Sequence, residues 1–146
     1  MIMKKRIVLA LLCACIILFA GCVSNRSSEK NISPVEAAQQ IIKACGRDPE
    51  SLFASYAAFE TEDRIGFAAN KYGVEIETGN DIGSYEEGEP SAFEIAVFRF
   101  TNNKDAANAA EKLTEYISSV EKAYGEYMPE QAYMAHNSVA VSLGLV

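Results

Sequence analysis

The sequence predicts an α+β fold: N-terminal helices and one long helix in the C-terminal half, packed on a small β-sheet. Three observations carry that prediction. Apolar residues recur at three- and four-residue spacing after Ser33 and again, over about five turns, after Asn103, which is the period of a helix with one buried face. Residues 92–100 instead alternate with a period of two and carry apolar side chains on both parities, as a strand covered on two sides does. Helical segments come first, then a strand region, a long helix and a last strand, an order that suits helices layered over a sheet.

The first helix opens at Ser33-Pro34-Val35-Glu36, a capping box with Pro at the first helical position. Val35, Ala38, Ile42 and Cys45 form its apolar stripe and Gly46 ends it, so Cys45 is expected as a small core residue. Asp48-Pro49-Glu50 repeats the cap-then-Pro pattern before a short helix through Leu52, Phe53 and Tyr56. Thr61 is the expected cap of a helix over residues 62–72 that buries Ile65, Ala68, Ala69 and Tyr72 and stops at Gly73. Residues 74–77 alternate weakly. The Gly79-Asn80-Asp81-Ile82-Gly83 and Glu86-Glu87-Gly88-Glu89-Pro90 stretches read as turns around a strand fragment at Ser84-Tyr85.

In the strand of residues 92–100, Phe93, Ile95 and Val97 face one way and Ala96, Phe98 and Phe100 the other, which places it centrally in the sheet. Asn103 caps the long helix, whose inward residues are Ala106, Ala109, Ala110, Leu113, Ile117, Val120 and Tyr124. Gly125 and Pro129 stop it, and a short segment reaches His136 and Asn137. Val139, Val141 and Leu143 then alternate as a last strand that Gly144 turns. The strand-helix-strand unit from residue 92 onward is a parallel right-handed crossover, or antiparallel if a strand intervenes.

The N-terminus gives an address. Lys4, Lys5 and Arg6 precede an apolar run over residues 7–19 and the small residues Ala20-Gly21, which is the pattern of a secretory signal. The run is short for a transmembrane helix, which needs about 20 apolar residues. Leu18-Phe19-Ala20-Gly21-Cys22 resembles the bacterial lipobox, with Phe19 where Leu is usual, and implies diacylglyceryl attachment at Cys22; Cys15 is a weaker alternative. The expected organisation is a lipoprotein signal peptide at 1–21, an anchored polar tether at 22–31, and a single domain at 32–146. A diacyl chain, at about 0.8 kcal/mol per buried CH₂, would hold the protein firmly at the outer face of the cytoplasmic membrane. Cys45 would then be the single thiol of the mature body, so an intramolecular disulfide is excluded.

Of 146 residues, 20 are acidic and 13 basic, a formal charge of −7, and loss of Lys4, Lys5 and Arg6 with the leader takes it to −10. Nucleic acid and bare anionic lipid are therefore poor partners. The common enzyme signatures are absent: there is no nucleophile elbow, zinc-protease helix, phosphate-binding Gly loop or paired Cys. His136 is the only histidine and has no nucleophile or orienting partner at a telling spacing. Asp81, Glu86, Glu87 and Glu89 make the densest acidic stretch; it can supply carboxylates to a hard cation or a partner, but the spacing is not that of a calcium loop, and a solvated negative loop accounts for it. No cofactor is expected. The expected function is a non-enzymatic binding or assembly module with an envelope protein or polymer as ligand. The competing expectation is an envelope-directed hydrolase using a carboxylate pair.

Ser33-Pro34-Val35-Glu36-Ala37-Ala38, Phe93-Glu94-Ile95-Ala96-Val97-Phe98, the long helix, Tyr127-Met128-Pro129-Glu130-Gln131 and Asn137-Ser138-Val139-Ala140-Val141 together resemble the domain of unknown function 4358 family, small bacterial lipoproteins found mainly in clostridial-type Gram-positives. The similarity extends over about residues 32–146. It implies an extracytoplasmic lipid-anchored α+β domain and brings no activity, cofactor or catalytic residue. Members usually continue past the position of Gly144 with another apolar strand, so a shortened chain is one expectation.

Overall fold

The computed structural model describes residues 32–142, all within one compact unit that begins at Ile32. The expected signal peptide, the expected lipidation site Cys22, the expected tether, and Leu143 and Gly144 lie outside the described residues. Helix α1 (Pro34–Ala44) is followed by two 3₁₀ turns (Pro49–Ser51 and Ser55–Ala58), α2 (Arg64–Tyr72), strands β1 (Ile82–Glu86) and β2 (Glu94–Phe98), α3 (Asn103–Gly125) and α4 (Pro129–His136). The α+β class holds.

β1 and β2 pair antiparallel, with Ile82 opposite Phe98, Ser84 opposite Ala96 and Glu86 opposite Glu94. Directly opposed residues share a face, so the pair has two distinct sides. On one side Tyr85, Ile95 and Val97 pack with Ala38, Ile42 and Val35 of α1. On the other, Ile82, Ala96 and Phe98 pack with Ala68 and Tyr72 of α2, Ala109, Leu113 and Tyr116 of α3, and Val74 and Ile76 of the connecting segment. α4 lies against α3.

The capping box forms as expected: the Glu36 N–H donates to Ser33 Oγ at 3.2 Å and the Ser33 N–H to Glu36 Oε2 at 3.0 Å. At the other end of α1 the outcome differs. Gly46, at φ +75°, turns the chain so that the N–H of Arg47 reaches Ile42 O and that of Gly46 reaches Lys43 O. Cys45 is left at the outside of that turn and is exposed, while Pro49 is buried. The apolar stripe simply runs past the helix end.

The strand fragment expected at Ser84-Tyr85 is the middle of β1, which takes in Ile82, Gly83 and Glu86 from the stretches read as turns. Gly83 is there for contact: a Cβ on it would stand 2.6 Å from Pro34 C and from Val35 N and Cα, so only glycine lets the start of α1 rest on the strand. β2 is covered on both faces, as its two apolar parities require, yet it has one described neighbour rather than two. Val139 and Val141 are 68% and 56% exposed, and residues 139–142 form no strand, so no crossover unit exists among the described residues. Alternation makes a strand only where an edge is at hand to pair with it. Smaller shifts concern the caps. α2 starts after Asp63, not Thr61, and α3 is capped by Asn102, whose Oδ1 accepts from the Asp105 N–H at 2.9 Å. The expected helix through Leu52 and Tyr56 is two 3₁₀ turns, separated where Phe53 bridges to Glu86.

Candidate functional site

A polar network and an open depression adjoin each other on the α2 side of the sheet. Glu94 points to that side from the start of β2, by the same parity that buries Ala96 and Phe98. It accepts hydrogen bonds from the Tyr72 hydroxyl, from the Tyr116 hydroxyl at 2.7 Å, and from Lys71 Nζ at 2.9 Å. Lys71 also donates to Glu86 at 2.5 Å, so one ammonium bridges two carboxylates that face each other across the strands. Without Lys71 those like charges would repel. Tyr72 is 2% exposed, and its ring meets Phe98 and Tyr116 edge-on, with centroids 5.4 and 5.1 Å apart.

The electrostatics follow from this packing. Burial, reinforced by the Glu94 charge, pushes the Tyr72 and Tyr116 hydroxyls far above the ordinary tyrosine value. Lys71 is shifted upward too, because the carboxylates of Glu86 and Glu94 together outweigh the opposing effect of its burial. At neutral pH the tyrosines are donors and the lysine a cation. No buried side-chain nitrogen or oxygen among the described residues lacks a hydrogen-bond partner.

The depression, about 590 Å³, is lined by Phe59, Asp63, Gly66, Phe67, Asn70 and Lys71. Phe59 stacks on Phe67 with centroids 4.7 Å apart and 23° between planes, yet stays 40% exposed. Asp63, which precedes the first residue of α2, and Gly66, Phe67 and Asn70 within it follow helical spacing along one stripe. Nothing lies within 4 Å of where a Cβ on Gly66 would be, so no neighbouring atom requires glycine there. A second, smaller hollow of about 350 Å³ lies at the α3–α4 turn, beside Tyr127, which is 79% exposed.

The acidic residues picked from sequence do not act together. Asp81 binds Arg99, with Nη2 to Oδ1 at 2.8 Å, and closes the turn before β1 by accepting from the N–H and hydroxyl of Thr78. Glu86 belongs to the Lys71 network. Glu87 pairs with Arg47 at 2.9 Å and accepts from Ser91; first that hydroxyl and then Arg47 hold its carboxyl below the usual range. Glu89 is exposed. Among the described residues no group of three or more His, Cys, Asp or Glu is placed to hold a metal. His136 is exposed and lies 3.0 Å from Glu121.

Lys71 and Glu94 were not singled out from sequence as site residues, and Tyr72 was expected only as a buried residue of its helix. A signal existed for Glu94, which is the one carboxylate in the apolar run of residues 92–100 and shares the parity of Ala96, Phe98 and Phe100, where it must find partners.

Fold and site define a small α+β domain with a closed polar network beside an open aromatic surface. The chain belongs to the family described as Domain of unknown function (DUF4358), whose profile matches residues 66–144. That match takes in α2 from Gly66 onward, both strands, α3 and α4, hence the whole network of Lys71, Tyr72, Glu86, Glu94 and Tyr116, while α1 lies outside it. No curated protein and no solved structure matches the chain.

Proposed function

We propose that this protein is a lipid-anchored extracytoplasmic module that binds an envelope polymer or protein without transforming it. The observation that carries the reading is the contrast between network and depression. The charged and phenolic groups that a catalyst would need are spent on one another, whereas Phe59, stacked on the half-buried Phe67, is left exposed beside a helix position that carries no side chain. The lipobox-like sequence at Cys22 supports the anchor, and no helix among the described residues is long and apolar enough to cross a membrane. The hydrolase alternative rests on Glu86 and Glu94, which do face each other; their shared lysine supports a structural role instead.

The test places a photo-crosslinking amino acid at position 59 of the full chain in intact cells and, separately, incubates the purified protein with peptidoglycan. The expected result is one specific adduct, lost on Gly66→Leu, and no release of soluble fragments. Fragment release that disappears in Glu86→Gln or Glu94→Gln would establish the hydrolase instead.

A further inference from the structure

The lining of the depression pairs an uncovered ring with polar groups that have no partner. Phe59 has one face against Phe67 and is 40% exposed, which leaves aromatic surface open to solvent. On the neighbouring helix stripe, the Asp63 carboxylate and the Asn70 amide make no hydrogen bond or ion pair among the described residues. Lys71 has three N–H donors, and Glu86 and Glu94 take two of them, so one remains at the wall of the depression. Among these groups stands Gly66, inside α2, where glycine weakens a helix relative to alanine and no neighbouring atom requires it. Its effect is to leave the helix backbone bare beside Phe67, open to the close approach of a ligand.

We propose that the depression binds a neutral glycan chain, one pyranose ring of which rests on Phe59 while its hydroxyls meet Asp63, Asn70 and Lys71. This rests on the reading of the depression as the binding surface, and it names the ligand class. The faces of a pyranose carry C–H groups that pack on an aromatic ring, and its rim carries hydroxyls that both donate and accept. The lining answers both: Asp63 only accepts, Lys71 only donates, and Asn70 does each. An acyl chain would strip water from Asp63 and Asn70 and return no hydrogen bond. An anionic polymer meets Asp63 and a chain of net charge −7, while Lys71, the cation of the lining, is already shared by two carboxylates. A cationic group has nothing with which to accept from the remaining N–H of Lys71. The volume of about 590 Å³ falls among small-molecule sites, which span roughly 300–1,000 Å³. Because the depression is open, a chain can cross it with one ring seated.

Amide NMR of the full chain, in a detergent that carries no sugar headgroup, tests this by titration with neutral tetrasaccharides of glucose, N-acetylglucosamine, mannose and galactose. The expected result is saturable shifts of the Gly66 N–H and the Asn70 side-chain amide with at least one of them, at a dissociation constant on the order of a millimolar. A neutral ligand should hold that affinity through an about tenfold rise in salt. Phe59→Tyr keeps a ring and should keep binding, whereas Phe59→Leu keeps apolar bulk without a stacking face and should weaken it at least about fivefold. Asn70→Ala, at an exposed helix position, should weaken it too, and circular dichroism checks that each variant is folded. Equal affinity in Phe59→Leu, or affinity that falls with salt as a cation held by Asp63 requires, would overturn the proposal. So would the lack of a saturable shift with every sugar. If a protein adduct still forms at position 59 in cells, only the ligand class is wrong; if neither appears, the binding reading falls with it.

Discussion

Replacing Glu94 by alanine isolates the network from the rest of the core. Three donors lose their acceptor. The Tyr72 hydroxyl is the costly one, since at 2% exposure water cannot replace the carboxylate, and an unsatisfied buried hydroxyl costs about 1–3 kcal/mol. Lys71 keeps Glu86 and is 24% exposed at its side chain, so its loss is discounted to about 1 kcal/mol. Tyr116 is half-buried and can turn to water. The sum is about 2–4 kcal/mol, a large share of the stability of an ordinary domain. Urea unfolding followed by circular dichroism measures it, with the slope compared to confirm that the midpoint shift reflects stability. Tyr72→Phe removes the stranded hydroxyl, so Glu94→Ala should cost about 1–2 kcal/mol less in that background. A change under about 0.5 kcal/mol for Glu94→Ala, or additive effects in the double variant, would refute the view that Glu94 organises the network.

Three further outcomes follow from the same geometry. Tyr72, Tyr116 and Lys71 all have folded-state pKa values above their ordinary 10.0 and 10.5, so their contribution is complete below about pH 10 and is lost as pH rises further; the unfolding free energy from urea titrations should fall above pH 10, by about 1.4 kcal/mol per pH unit for Tyr72 and less for the two more exposed groups, and Tyr72→Phe should flatten the fall. Cys45 is exposed, so the folded protein should react with a thiol reagent as fast as the unfolded one; slow modification in the native state would mean that the turn at Gly46 is misplaced. Labelled palmitate should appear on the wild type and vanish in Cys22→Ser, and a mature protein recovered from the aqueous phase of a detergent partition with residues before Cys22 attached would sink the anchor.

What was legible in the sequence was whatever local chemistry decides. The capping box at Ser33 and Glu36, the stop at Gly73 with φ +69°, and the length of α3 are set by neighbours in the chain, and all stand in the structure. The full extent of β1 around Ser84-Tyr85 was obscured because Gly83 has the same letter as a turn glycine, while its reason is a helix backbone 49 positions upstream. Cys45 was misjudged because periodicity continues in the sequence after the helix has ended. The network was missed for a related reason: Lys71, Glu86, Glu94 and Tyr116 come from four separate elements, and no spacing rule joins them before the sheet register is known.

Lys71 belongs both to the wall of the depression and to the network, and that shared position links ligand binding to stability. Its amine holds Glu86 and Glu94 on the strands, while its stem stands beside Phe67, with Nζ 5.9 Å from that ring centroid. Anything that settles against Phe59 and Phe67 in the native state therefore orders a residue on which the α2–sheet contact depends, and it does so only when the domain is folded. By mass action, ligand at about one hundred times its dissociation constant adds roughly 2.7 kcal/mol to unfolding. That is comparable to the expected cost of losing Glu94. A ligand of the depression should consequently recover much of the stability lost in Glu94→Ala, and that recovery should be absent in Gly66→Leu, which fills the depression.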